Sequence, residues 1–247
     1  MSDIEAIGQQ LTEAFKQHNA DYIEARLEQS QTSHITYRGR ELESIGRATT
    51  IGGNVRALVR GGWGFVSFNN LTDLKDKVDL AVKQAQFAGS GESKLATIEP
   101  VVDIMSTKID SNPLNILLAE KKQLLDEYND VIWKTPKIQT SVIGYGDSYK
   151  KVIFLSSSGS HIEQERADIT LRLTAVTTED GEVQQAGLSL GSRGDFSLIQ
   201  GLHHQVEEMA QRAVELLSAP QVKGGEYTVV LDPVLAGVFV HEAFGHL

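Results

Sequence analysis

The segment His241-Glu242-Ala243-Phe244-Gly245-His246 places two imidazoles and a carboxylate within six residues. Neutral imidazole binds Zn²⁺ well, and a neighbouring glutamate can take a proton from water that the metal has made acidic. This is the chemistry of metal-assisted hydrolysis. The familiar zinc-peptidase signature spaces its histidines four apart, one helical turn, whereas His241 and His246 are five apart. At about 100° per residue, five steps leave the two side chains roughly 140° apart around a regular α-helix. The spacing therefore predicts a π-type widened turn, whose i→i+5 hydrogen bond returns both imidazoles to one face. Gly245 has no Cβ to obstruct that distortion.

The elements upstream must carry this segment. Asp232-Pro233 reads as an N-cap followed by proline at the first helical position, and Glu226 to Leu231 as a short apolar strand leading into it. Earlier, Ile4, Ile7, Leu11, Ala14 and Phe15 recur at helical spacing, which predicts an amphipathic helix over residues 3–17. Alternating segments predict strands at 23–27, 34–38 and 54–60. Gly61-Gly62-Trp63-Gly64 then reads as a turn or bulge between strands, with Trp63, Phe65 and Phe68 in the core. It lacks the closing Lys-Ser/Thr of a phosphate loop. Leu71, Leu74, Val78, Ala81, Val82 and Ala85 share a helical face, with Asn70 as candidate cap and Gly89 beyond the end. A further helix is predicted from Pro113 to Tyr128, capped at Ser111 or Asn112. Strands follow at 138–145, 151–157 and 162–177, with Asp180-Gly181 as a hairpin turn, and then a helix over 205–218.

The expected fold is α+β, with antiparallel sheets packed against amphipathic helices and a strand and helix that carry the zinc motif at its end. Three segments are expected: 1–92, an N-terminal helix-strand-helix subdomain; 93–222, a middle subdomain with an antiparallel sheet and flanking helices; and 223–247, the start of a C-terminal metalloprotease domain. Of the 247 residues, 40% are hydrophobic and 23% charged, as in ordinary globular proteins. A net charge of −10 argues against nucleic acid and anionic membranes as partners. No basic and apolar leader opens the sequence and no run of 18 apolar residues follows, so a cytoplasmic location is expected. The chain contains no cysteine, hence no disulfide and no thiolate ligand of its own. His203-His204 read as solvated, and His18, His34 and His161 as isolated.

Leu231-Asp232-Pro233, Gly237, His241-Glu242-Ala243 and Gly245-His246 resemble the strand, turn and HExxxH helix of the TldD/PmbA family of metalloproteases, sometimes described as modulators of DNA gyrase. Gly61-Gly62 with Trp63-Gly64-Phe65-Val66-Ser67 resembles the glycine-aromatic segment of that family's N-terminal domain. The resemblance implies that His241 and His246 ligate zinc and that Glu242 is the catalytic general base. It places the chain with the TldD-type members, which bear the motif and associate with PmbA-type partners that lack it. It further implies a homologous partner subunit in a dimer and an extended peptide substrate bound in an interior cavity. In the family the third zinc ligand is a cysteine in a C-terminal part about as long again. The chain is accordingly expected to be an N-terminal half, inactive on its own and lacking the third ligand. Two other readings stay open: a non-catalytic peptide-binding or assembly module that adds a strand at a sheet edge, and a structural role for the two histidines.

Overall fold

Alternation of apolar and polar residues, continued over unusually long stretches, dominates the architecture. The computed structural model describes residues 4–106 and 108–246. Contacts divide the chain into two units, Met1–Leu217 and Ser218–Leu247. In the first unit, α1 (Ile4–Phe15) leads to β1 (Tyr22–Arg38), β2 (Glu41–Val59), β3 (Gly62–Phe68) and α2 (Leu74–Ala88). A short β4 (Val102–Met105) and α3 (Leu118–Lys134) precede β5 (Ile138–Ser156), β6 (His161–Glu179), β7 (Glu182–Ser192) and α4 (His203–Glu215). The strands form one seven-stranded sheet in the order β3-β2-β1-β5-β6-β4, with β7 also on β6. Every pairing is antiparallel except β4 with β6. The fold is α+β, as the sequence predicts.

The sheet is covered by helices on one face. Ile23, Ala25 and Leu27 of β1, Val55 and Ala57 of β2 and Ile153 and Leu155 of β5 pack with α1 and α2. Farther along the same face, Ile35, Ile143, Ile169, Leu171 and Leu173 pack with α3 and α4. Complete burial of one such side chain is worth about 1.5–3 kcal/mol, so these inward positions fix the strand register. Residues at the alternate positions, such as Arg26, His34, Thr170 and Arg172, are exposed.

The strands expected at 23–27 and 34–38 are one strand, and so are those expected at 138–145 and 151–157. The polar residues between them contain no turn that breaks pairing, and β1 lies between two partners along most of its length. Helix α2 starts at Leu74 rather than at Leu71; Asp73, in the left-handed region at φ 54°, sets the boundary, and the Asn70 side chain instead accepts a hydrogen bond from Thr72. Asn112 caps a 3-10 turn, Pro113–Asn115, through its side chain and the Leu114 N–H, and α3 follows separately. The Asp180-Gly181 hairpin has the two positive φ angles, 48° and 87°, of the expected turn.

The glycine-aromatic segment departs from expectation in an informative way. Arg60 and Gly61 make the β2–β3 turn with φ of 47° and 78°. Gly62 and Gly64 then occupy the inward positions of β3, directly against the backbone of α2: a Cβ on Gly64 would lie 1.9 Å from the Ala81 carbonyl oxygen, and one on Gly62 would lie 2.3 Å from the Gly89 nitrogen. Trp63 and Phe65 are consequently on the other face, 39% and 56% exposed, and are not core. The Arg56 guanidinium sits 4.7 Å from the Trp63 ring centre. Gly64→Ala must push α2 off the strand. Urea unfolding is expected to show a loss of about 3 kcal/mol or more, and a loss below about 1 kcal/mol would contradict this close approach.

A charged pair lies inside the core. Lys121 on α3 and Asp147 on β5 are each 1% exposed at the side chain, with Lys121 Nζ 2.6 Å from Asp147 Oδ2 and 3.4 Å from Ser33 Oγ. The Tyr145 hydroxyl donates to the same carboxylate oxygen. Burial pushes the Lys121 ammonium pKa down against the opposing pull of Asp147; burial and the Asp147 carboxylate together push the Tyr145 phenol up.

In the second unit, residues 219–232 take no helical or strand conformation, so the strand expected over 226–231 is not formed. An isolated strand has no ladder to stabilise it, and this segment pairs with no strand among the described residues. Helix α5 (Pro233–Val240) follows. Among the described residues no helix is long and apolar enough to cross a membrane.

Candidate metal centre

Helix α5 begins as its sequence predicts. The Asp232 carboxylate accepts a hydrogen bond from the Val234 N–H at 2.9 Å, the Ala236 N–H donates to the Asp232 carbonyl at 2.8 Å, and Pro233 stands in the first turn, where its missing N–H costs nothing. At His241 the α-helix gives way to a π-helical turn, His241–Gly245. The five-residue spacing thereby becomes a same-face spacing.

The consequence is visible in the side chains. The His241 and His246 rings lie edge to face with centroids 4.6 Å apart. Glu242 Oε2 is 4.0 Å from His246 Nε2. One potential ligand atom from each of His241, Glu242 and His246 falls within 4.8 Å of the others. A Cβ on residue 245 would approach His241 Nδ1 to 3.2 Å, so glycine leaves the imidazole room where the turn is widest. All three side chains are exposed, which leaves them free to close the remaining distance around an ion. Two imidazole nitrogens suit zinc, and the adjacent carboxylate can serve as ligand or as base. The donor set fits a metal ion but is short of the three protein ligands usual in catalytic zinc sites.

Four histidines of the first unit face carboxylates of that unit. His203 is 3.0 Å from Glu127 and edge-on to Tyr128, His204 is 3.5 Å from Glu208, and His161 is 3.1 Å from Glu163. His18 lies 2.8 Å from Asp79. Sequence reasoning missed the Lys121–Asp147 pair, although both charges stand at inward-facing positions of their elements, which was the available signal.

Comparison with known proteins bears on the chain as a whole. Residues 23–85 match the PmbA/TldA metallopeptidase domain 1, and residues 111–218 the central domain of the same metallopeptidases. A metalloprotease of Synechocystis sp. is 40% identical over 94% of this chain and 50% of its own length. The chain belongs to the PmbA/TldD family.

Other PmbA/TldD relatives agree. A metalloprotease of Methanocaldococcus jannaschii is 30% identical over 92% of this chain and 51% of its own length. A zinc metalloprotease TldD homolog of Saccharolobus solfataricus is 20% identical over 92% of this chain and 50% of its own length. The chain spans about half the length of the curated relatives it matches. The crystal structure of a candidate DNA gyrase modulator from Thermotoga maritima has the same fold, with a TM-score of 0.76 at 13% identity over 90% of this chain and 50% of that one. Residues 241–246 lie outside both stretches matched by the family models, so the case for the site rests on its local geometry.

Proposed function

We propose that the chain is the N-terminal part of a TldD-type, zinc-dependent metallopeptidase that hydrolyses extended peptides and works with a homologous partner subunit. The π turn that brings His241, Glu242 and His246 together carries this reading. His241 and His246 would hold the ion, and a third protein ligand would come from outside these 247 residues. Zinc bound there supplies Lewis acidity, which polarises a carbonyl and lowers the pKa of water. The Glu242 carboxylate accepts the proton of the attacking water and passes it to the departing amine. The proposal includes a cytoplasmic setting and the division into 1–92, 93–222 and 223–247, with the last segment opening the catalytic domain.

The relatives named metalloproteases, one of them a zinc enzyme, and their length of about twice this chain support the reading. Protein spanning the relatives' full length, stripped with a chelator, should lose hydrolysis of an unstructured peptide and regain it with zinc. Undiminished hydrolysis by verified metal-free protein would overturn the metal dependence, and no hydrolysis even with zinc restored would favour the non-catalytic module.

A further inference from the structure

The open face of the sheet carries an arrangement that strand pairing alone disfavours. Lys150 of β5 and Arg166 of β6 stand directly opposite one another. Like charges in that position repel, since side chains of directly paired residues are only about 5 Å apart at Cβ. One residue along, on the helix-covered face, the same two strands oppose Lys151 to Glu165. The attractive pairing on one face makes the repulsive one on the other conspicuous.

These two cations and Arg26 of β1 line a groove of about 430 Å³ together with Ser148, Gln164 and Asp168, with buried Val152 also in its lining. Two carboxylates serve the three cations. Arg166 is held by Asp168 through Nε at 2.7 Å, while Glu28 lies 2.7 Å from Lys150 and 3.8 Å from Arg26. The groove thus keeps one positive charge in excess, in a protein whose net charge is −10. The cations are spread out. Lys150 is level with Ser30 on β1, and Arg26 stands four residues from Ser30, roughly 13 Å along the strand. One small anion cannot reach both ends; a chain bearing several carboxylates can.

We propose that this groove binds acidic stretches of an extended peptide, with Lys150 and Arg166 receiving one carboxylate and Arg26 another. The proposal rests on the reading of the protein as one that acts on peptides, and adds a preference for Asp- and Glu-bearing sequences. The ligand carboxylate offsets the Lys150–Arg166 repulsion, so the variants that weaken binding should not destabilise the fold.

The test is fluorescence anisotropy at low salt with the 247-residue chain, using labelled glutamate-rich and lysine-rich peptides of equal length. The glutamate-rich peptide should bind more tightly, despite the opposing net charge. Lys150→Gln and Arg166→Gln should each weaken that binding by about threefold to tenfold, as expected for partly exposed charge pairs. Arg172→Gln, on the same face but outside the groove, should leave it unchanged. Thermal melts of the two groove variants should match or exceed the unsubstituted chain, which separates lost recognition from lost folding. Equal binding of the two peptides, or binding unchanged in both variants, would overturn the proposal. The measurement uses neither zinc nor turnover, so its failure would leave the metallopeptidase reading to its own test.

Discussion

Glu242→Gln, in protein spanning the relatives' full length, is expected to lower kcat for peptide hydrolysis by about 10²–10⁴-fold, the usual contribution of a positioned general base. Glutamine keeps the size and one acceptor oxygen but cannot take the proton from water. Zinc content should not change, because the two imidazoles still hold the ion. In the structure Glu242 stands in the π turn beside His246, at 4.0 Å, so its carboxylate would lie within reach of water on an ion that His246 would hold. Steady-state kinetics with parallel metal analysis check both halves of the expectation. A loss below about tenfold would remove Glu242 from the role of base; lost activity accompanied by lost zinc would make it a ligand instead.

The second large effect concerns stability. Lys121→Met should destabilise the protein by about 3–5 kcal/mol, because it leaves the Asp147 carboxylate charged and unpaired in the core. Lys121 Nζ is 2.6 Å from Asp147 Oδ2, and the other carboxylate oxygen, Oδ1, already has no hydrogen-bond partner in the structure. Adding Asp147→Asn to Lys121→Met removes the stranded charge while keeping an acceptor for the Tyr145 hydroxyl. The double variant is therefore expected to be more stable than Lys121→Met alone. Urea denaturation of the two single variants and the double one forms a mutant cycle that reads this coupling. Strictly additive losses would show that the two charges do not sense each other.

The hydrophobic pattern revealed most of the fold's layers. Inward positions such as Ile23, Ala25 and Leu27, or Leu171 and Leu173, have strand periodicity, and the α2 stripe from Leu74 to Ala85 has helical periodicity; all of them are buried as that periodicity requires. Strand length was less legible. The middles of β1 and β5 are polar on both faces, and a local pattern cannot register that neighbouring strands supply hydrogen bonds there. Trp63 and Phe65 were misplaced because aromatic residues alone suggested a core. The decisive residues were Gly62 and Gly64, whose missing side chains let α2 lie on β3. The strand expected at 226–231 failed for the converse reason: suitable residues without a partner strand do not form a ladder.

At the candidate metal centre the local geometry was unusually legible. A five-residue spacing on one helical face has few solutions, and the π turn over His241–Gly245 is the one adopted. Gly245, beside the His241 ring, sits where a side chain would crowd that imidazole. The buried Lys121–Asp147 pair was legible in principle, as a lysine in phase with Leu125 and Ile132 and an aspartate in phase with Ile143 and Tyr145. A charge in the apolar phase of one element predicts a partner charge in that of another.

Zinc titration of protein spanning the relatives' full length, with His241→Ala and His246→Ala beside the unsubstituted protein, is the most direct test of the metal centre. One zinc per chain is predicted for the unsubstituted protein. Each substitution should weaken binding by more than the roughly 10–100-fold typical of losing an outer-shell partner, while His203→Ala leaves it unchanged. Zinc bound with equal affinity after either His241→Ala or His246→Ala would contradict the assignment of that histidine as a ligand.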